Sequence, residues 1–196
     1  MIDGNVAFKV TWVYGQEGPF TTPCTAEGRD TNIRLEKKVW CSQPECPCNE
    51  AWRRGNRAGP VEPVPCYDAD IFRRWRFGGG VYHHGPRKDT PIHMWFVKPG
   101  KLAFFTSRNI EMAERDRIVI GCFEIDEIVD QEGWGHMALS KPASRIRVAD
   151  LSKAPRFWDY HKQRGGPRWG TGLFRYLPDT EAKRLRTALE RVGVRV

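Results

Sequence analysis

The sequence predicts an α+β fold: a small curved β-sheet or barrel with flanking helices and a Cys-rich insertion. Segments rich in β-branched and aromatic residues cluster between residues 93 and 148, whereas helical patterns lie nearer the two ends. Between these regions, frequent Cys, Pro and Gly residues interrupt regular patterning. Strands and helices that are segregated along a chain are typical of α+β domains. We therefore predict a single domain over residues 1–196, with an insertion at about residues 41–90.

Short elements are expected in the N-terminal part of the chain. Residues 6–14 are β-branched and aromatic with rough alternation, which predicts a strand, and residues 39–42 predict a second, brief strand. A short helix or turn is expected over residues 28–36, because Asp30 and Thr31 can cap it.

The middle of the chain holds the clearest β pattern. Proline and glycine limit regular structure over residues 43–65, and residues 69–77 predict a short basic helix that ends at the glycines of 78–80. Gly121, inside a long apolar run, predicts a bulge of the kind that curves a small sheet. The predicted strands of this region are residues 93–97, 102–106, 117–128 and 145–148.

The C-terminal tail predicts an amphipathic helix. Asp179 is in a suitable position for its N-cap, and Gly193 for its end. The residues expected on its apolar face are Ala182, Leu185, Leu189 and Val192.

Charge and tryptophan content favour a nucleic-acid partner. Lys and Arg number 32 against 24 acidic residues, which gives a net charge of +8, and the chain has eight Trp. Cations that alternate with flat rings suit phosphates and stacked bases, although single rings could instead cap the core beside Arg side chains. The residues predicted to contact the backbone or stack are Arg53, Arg54, Arg73, Arg74, Trp75, Arg76, Arg108, Arg164, Arg168 and Trp169.

Other classes of protein are disfavoured. No run approaches the ~20 apolar residues of a membrane span, and residues 1–9 lack the pattern of a signal peptide, so we expect a soluble, cytoplasmic protein. Metalloprotease, nucleophile-elbow, phosphate-loop and dinucleotide-binding motifs are missing from the sequence. The sequence does not argue for an enzyme.

The cysteines predict a structural zinc site in the insertion. The pattern is Cys41-x4-Cys46-x-Cys48, followed by Cys66 after 17 more residues, in a stretch with too few apolar residues to form its own core. Thiolates bound to zinc would order such a loop. Cys24, His83 or His84 could replace one ligand, and unrelated free thiols or a redox cysteine remain the alternatives.

Several of these segments resemble the PUA-like superfamily, specifically its YTH and EVE branches. The sequence at residues 39–42, Val-Trp-Cys-Ser, follows a polar stretch with Arg29 and Asn32 and is similar to the segment that carries the first cage Trp of YTH domains. Residues 102–108 and 118–125 are similar to the paired central strands of that fold. Trp134, in a Gly-flanked loop, falls where a second cage ring is expected.

The resemblance implies a non-catalytic reader of a modified base, most readily a methylated base in DNA within a modification-dependent restriction or defence system, with an effector nuclease as partner. The base would be flipped into a pocket of Trp40, Ser42, Ser107, Asn109 and Trp134. An RNA reader, a zinc-dependent enzyme acting on nucleic acid, and a zinc-stabilised protein-interaction module are the alternatives.

The zinc prediction has a direct test. Metal analysis of the purified protein should find at least one zinc ion per chain, because four thiolates form one closed tetrahedral site. A zinc content near zero would contradict it.

Overall fold

The computed structural model describes residues 3–13, 25–38, 41–44, 46–55, 68, 71–82, 85–132, 135–163, 165–170 and 172–196. The chain forms two compact units. The first consists of Met1–Val10 and Trp75–Val196, and the second of Thr11–Arg74. The structure is α+β, as the sequence predicts, and its strands belong to a mixed sheet in the first unit.

Eight strands build this sheet. They are β1 (Asn5–Lys9), β2 (Arg76–Gly78), β3 (Leu102–Ser107), β4 (Ile118–Gln131), β5 (Gly135–Ser140), β6 (Ile146–Val148), β7 (Phe174–Leu177) and β8 (Gly193–Arg195). The main order is β2-β5-β4-β3-β1-β7, and β6 pairs with both β4 and β8. Strands β1 and β3 are parallel, whereas the other pairs are antiparallel. The predicted strands at residues 102–106, 117–128 and 145–148 are confirmed, and the one predicted at 6–14 is shorter.

Strand β4 is irregular at two points, which fits a curved sheet. Opposite β3, Gly121 faces Phe105 and Val119 faces Thr106, so that Ile120 is an extra residue on β4. This bulge lies beside the glycine that predicts one. A second register shift, between Ile125 and Glu127, separates the first pairing with β5 from the rest of that ladder. Bulges of this kind increase the local bend and twist of a strand.

One predicted strand is wrong, and one predicted helix ends earlier than expected. Residues 93–97 form a turn, not a strand, and the N–H of Val97 donates to the carbonyl of Met94 at 3.1 Å. The basic helix predicted over residues 69–77 is present as α3 (Ile71–Arg74), with residues 69 and 70 outside the described part of the chain, and it ends at Arg74 because Trp75 has a left-handed φ of +47° and β2 begins directly afterwards. In both segments, pairing with distant parts of the chain overrides the local pattern.

The C-terminal helix α4 (Asp179–Val192) packs into the core of the first unit. Ala182, Leu185 and Leu189 are buried there, beside Cys122 of β4 and Ile146 of β6. Asp179 is the first helical residue rather than the N-cap, which is Pro178. None of the described helices is both long enough and apolar enough to cross a membrane.

The carboxylate of Asp179 joins the helix to the sheet instead of capping it. It accepts hydrogen bonds from Nδ2 of Asn5 at 2.7 Å and from Nζ of Lys101 at 2.9 Å. The N–H of Asp179 donates to the carboxylate of Asp3 at 3.0 Å, so an acid from the N-terminal segment satisfies one of the free amides of the first turn.

The second unit contains short helices. They are α1 (Ala26–Asp30), a π-helical segment (Thr31–Leu35), α2 (Pro47–Arg53) and α3 (Ile71–Arg74). The helix predicted at residues 28–36 is confirmed in type, but its cap is Thr25, whose hydroxyl accepts the N–H of Gly28 at 3.2 Å. In place of the brief strand predicted at residues 39–42, Cys41 and Ser42 lie in a turn, and residues 39 and 40 are outside the described part of the chain.

A buried ion-pair network anchors the start of β4. The guanidinium of Arg117, whose side chain is 2% exposed, donates to Glu114 at 2.6 and 2.9 Å and lies 4.9 Å from the ring of Trp169. Glu114 also accepts hydrogen bonds from Arg108 and from the indole of Trp158. Burial raises the pKa of a carboxyl group, but these donors and positive charges outweigh it and lower the pKa of Glu114 below its ordinary 4.5.

We expect Glu114→Gln to lower the free energy of unfolding at pH 7 by about 3 kcal/mol, because it leaves the buried Arg117 without its counter-charge. Since the pKa of Glu114 is lowered in the folded state, its contribution is present above pH 4.5 and is lost as the pH falls through the lowered pKa. Urea unfolding of wild type and variant at a series of pH values measures this. The exposed Glu111→Gln is the matched control, and an equal loss there would contradict the prediction.

Candidate functional site

An exposed tryptophan packs against two histidines in the first unit. The side chain of Trp95 is 71% exposed, although tryptophan has the largest ring system of the standard amino acids. Its ring stacks on His93 with centroids 4.7 Å apart and meets the edge of His136 at 5.1 Å. The indole is therefore supported on its inner side and open on the other. We call His93, Trp95 and Phe96 the aromatic turn.

Two glycines allow the aromatic turn to approach the sheet. Gly135, at the start of β5, has a φ of +74°, and a Cβ there would lie 2.2 Å from the carbonyl oxygen of Ile92. Gly78, in β2, has a φ of +123°, and its Cβ would lie 2.6 Å from the carbonyl oxygen of His136 and 2.4 Å from the flexible end of the Met94 side chain. Only glycine tolerates both the backbone angle and the contact at these positions.

Hydrogen bonds hold the turn to β5 at this place. The N–H of His136 donates to the carbonyl of Ile92 at 3.2 Å, and the N–H of Met94 donates to Nδ1 of His136 at 3.1 Å. The second bond fixes the orientation of the His136 ring under Trp95. The platform is thus built by backbone contacts and does not depend on long, flexible side chains.

The two histidines lie beside a carboxylate. Asp130 in β4 faces His136 in β5 across the ladder, and one ligand-type atom from each of His93, Asp130 and His136 lies within 4.8 Å of the other two. Cross-strand neighbours project to the same face of a sheet, which explains the meeting of Asp130 and His136. Among the described residues this is the one such group of three or more His, Cys, Asp or Glu side chains.

Further rings continue from the aromatic turn toward β7. Phe96, 48% exposed, meets the edge of Tyr176 at 5.6 Å, and Tyr176 meets the edge of Phe174 at 5.5 Å. Burial raises the pKa of Tyr176, so this phenol is neutral over the physiological range. The result is a partly exposed aromatic row that begins at Trp95.

The pocket predicted from the sequence can be placed only in part. Trp40 and Trp134 lie outside the described residues. Ser107 is buried in β3, and its hydroxyl donates to the carbonyl of Val10 at 2.9 Å. The side-chain oxygen of Asn109 accepts the N–H groups of two residues that follow it in its own loop. Ser42 lies in the second unit, half-buried in a turn. The side chains of Ser107 and Asn109 therefore form hydrogen bonds with backbone groups in this structure.

The predicted nucleic-acid contacts divide by exposure. Trp75 and Trp169 are core residues, so neither offers an open ring face here. Arg108 is half-buried, with hydrogen bonds to Glu114 and to backbone carbonyls, and Arg76 is half-buried in β2. Arg164 lies outside the described residues. The exposed members of the predicted set are Arg53, Arg54, Arg73, Arg74 and Arg168.

The predicted zinc ligands are also placed only in part. Cys41 and Cys46 are half-buried and Cys48 is buried, and no disulfide joins them to one another. Cys66 and the alternative ligands Cys24, His83 and His84 lie outside the described residues. The cysteine zinc site therefore stays a prediction.

Sequence patterns missed the site around Trp95. His93 and Asp130 are 37 positions apart, and nothing in the local sequence links them to His136. One signal was present: His93 and Trp95 are separated by a single residue, between Pro91 and the Pro99-Gly100 turn. Proline and glycine on both sides of a segment are typical of turns and loops.

We expect Gly135→Ala to destabilise the first unit by about 2 kcal/mol or more, because it combines a left-handed φ with overlap on the Ile92 backbone. Gly100→Ala is a matched control, since its φ is also +74° but nothing lies within 4 Å of the added Cβ. Urea unfolding measures both. If the two variants lose equal stability, the close approach to Ile92 carries no cost and the prediction is wrong.

Comparison with protein-family profiles, with curated proteins and with solved structures finds no match to this chain. The resemblance to the YTH and EVE branches therefore stays a prediction from the quoted residues.

Proposed function

We propose that this protein is a non-catalytic nucleic-acid-binding domain that stacks an extruded, modified base on an exposed indole ring, with DNA as the favoured nucleic acid. The observation that carries the proposal is Trp95, a large apolar ring that is 71% exposed and yet supported by His93 and His136. An open aromatic face on a fixed support is the usual form of a base-stacking platform.

The energetics favour recognition over chance exposure. A solvated indole face gives up the free energy that burial would supply, so an exposed ring next to other exposed aromatic groups usually marks a binding surface. Stacking of one base on an aromatic side chain contributes about 1–3 kcal/mol, which offsets the few kcal/mol that extrusion costs. The aromatic row that continues through Phe96 to Tyr176 offers further contact area.

Charge supplies the part of the affinity that is independent of sequence. The net charge of +8 attracts a polyanion, and exposed arginines are present in both units, such as Arg53 in the second and Arg168 in the first. Lys98, two positions after Phe96, is exposed as well. Each phosphate contact releases condensed counterions, so binding should weaken steeply as salt increases.

Preference for a modified base is the part that the family resemblance adds. An added methyl group in an apolar cage is worth about 1–3 kcal/mol, so discrimination by the isolated domain should be modest. In this proposal Trp40 and Trp134 supply the cage, and Trp134 is the second residue before His136 in the sequence. A downstream nuclease of a restriction or defence system would be the effector partner.

The stacking role is tested with Trp95→Ala. Binding of matched oligonucleotides, DNA and RNA, with and without cytosine or adenine methylation, is measured by fluorescence anisotropy across a salt series. We expect Trp95→Ala to weaken binding about 10-fold, the effect of losing one stacked base, with an unchanged salt slope. Tyr82→Ala, which removes another exposed aromatic side chain of the same unit, should bind like wild type.

The same assay distinguishes among the remaining functional hypotheses. Trp40→Ala and Trp134→Ala should lose the preference for the modified base and retain non-specific binding. Tighter binding to RNA than to the matched DNA would indicate an RNA-binding protein. Absence of nucleic-acid binding at low salt, or binding with no salt dependence, would overturn the proposal and favour a protein-interaction module.

A further inference from the structure

We infer that His93, Asp130 and His136 form a binding site for a divalent first-row transition metal ion of the Zn²⁺ and Co²⁺ class. This site is separate from the predicted cysteine site and does not rest on the proposed function. Its basis is the meeting of two imidazoles and one carboxylate, with ligand-type atoms within 4.8 Å of one another.

The ligand set selects the class of metal. Imidazole nitrogen is a preferred ligand of zinc and its neighbours in the first transition row, whereas Mg²⁺ and Ca²⁺ take oxygen ligands. Two atoms that each lie about 2.1 Å from one ion are at most about 4.2 Å apart. A separation of up to 4.8 Å therefore closes with small side-chain rotations. Three protein ligands leave at least one coordination position for water or another ligand.

The surroundings favour a cation. One ring nitrogen of His93, Nδ1, is buried and has no hydrogen-bond partner among the described residues. The second half of β4 and the residue after it also carry carboxylates that give this end of the strand a negative potential, in a chain whose net charge is positive. They are Asp126, Glu127, Asp130 and Glu132. A divalent ion would offset that local charge.

Metal binding is coupled to the aromatic turn through His136. Because the N–H of Met94 donates to Nδ1 of His136, the neutral ring carries its proton on Nε2. A metal on Nδ1 displaces this N–H directly. A metal on Nε2 moves the ring proton to Nδ1, where it faces the N–H of Met94. Either way the bond from Met94 breaks, and the turn that carries Trp95 must adjust.

The test is a Co²⁺ titration of the full, chelator-treated chain, followed by visible absorption. We expect a saturable site whose ligand-field bands come from nitrogen and oxygen ligands and are separate from any thiolate charge-transfer bands of the predicted cysteine site, and these ligand-field bands should need at least 10-fold more Co²⁺ in His93→Gln and Asp130→Asn. His161→Gln and Asp159→Asn are the matched controls and should bind like wild type, because neither residue belongs to the ligand set or to the acidic end of β4. Mg²⁺ at the same concentration should not compete, whereas Zn²⁺ should.

A second readout reports the coupling. Zn²⁺ should change the tryptophan fluorescence of wild type, and this change should be missing in Trp95→Phe, which keeps all three ligands. Circular dichroism establishes that each variant is folded, and His93→Gln and Asp130→Asn alter partly or fully exposed side chains. Cobalt binding that is unchanged in both folded variants, or that shows only thiolate bands, would overturn the inference.

Discussion

Strand β4 is the constraint on which the first unit depends. Its fourteen residues pair with β3, β5 and β6, so most of the sheet is hydrogen-bonded to one continuous segment. Its first half is buried beside helix α4, and Arg117 and Glu114 fix the point where it begins. Its second half is more exposed to solvent, and Asp130 in this half lies beside His93 of the aromatic turn. Because a strand transmits its register to every partner, an error in β4 would displace core and site together.

The site arises where irregular backbone meets this regular frame. Gly135 lets the backbone of Ile92 lie closer to β5 than any side chain would permit, and Gly78 leaves room for the side chain of Met94. The turn that results exposes Trp95 and at the same time aligns His93 with His136. Apolar and polar chemistry therefore share one small platform, which can offer a stacking face, a metal site, or both.

The charge around this platform is divided. The whole chain is basic, yet the end of β4 is acidic, and phosphates would be repelled from that side. A base stacked on Trp95 would therefore direct its backbone toward the exposed cations elsewhere in the unit. A metal ion bound by His93, Asp130 and His136 would reduce the repulsion. Binding of nucleic acid and of metal can thus be linked through local electrostatics without a shared ligand.

The sequence by itself determined the α+β class, the central strands, the bulge near Gly121 and the C-terminal helix, because each follows from periodicity within about a dozen residues. The tertiary structure decided what depends on distant neighbours. Residues 93–97 have a strand-like composition, but pairing of Ile92 with Gly135 leaves them as a turn, and Trp75 is buried although basic residues surround it in the sequence. Asp130 and His136 meet because β4 and β5 form a ladder, and His93 joins them because its neighbour Ile92 pairs with Gly135. A residue's own neighbours in the sequence carry no information about such long-range pairing.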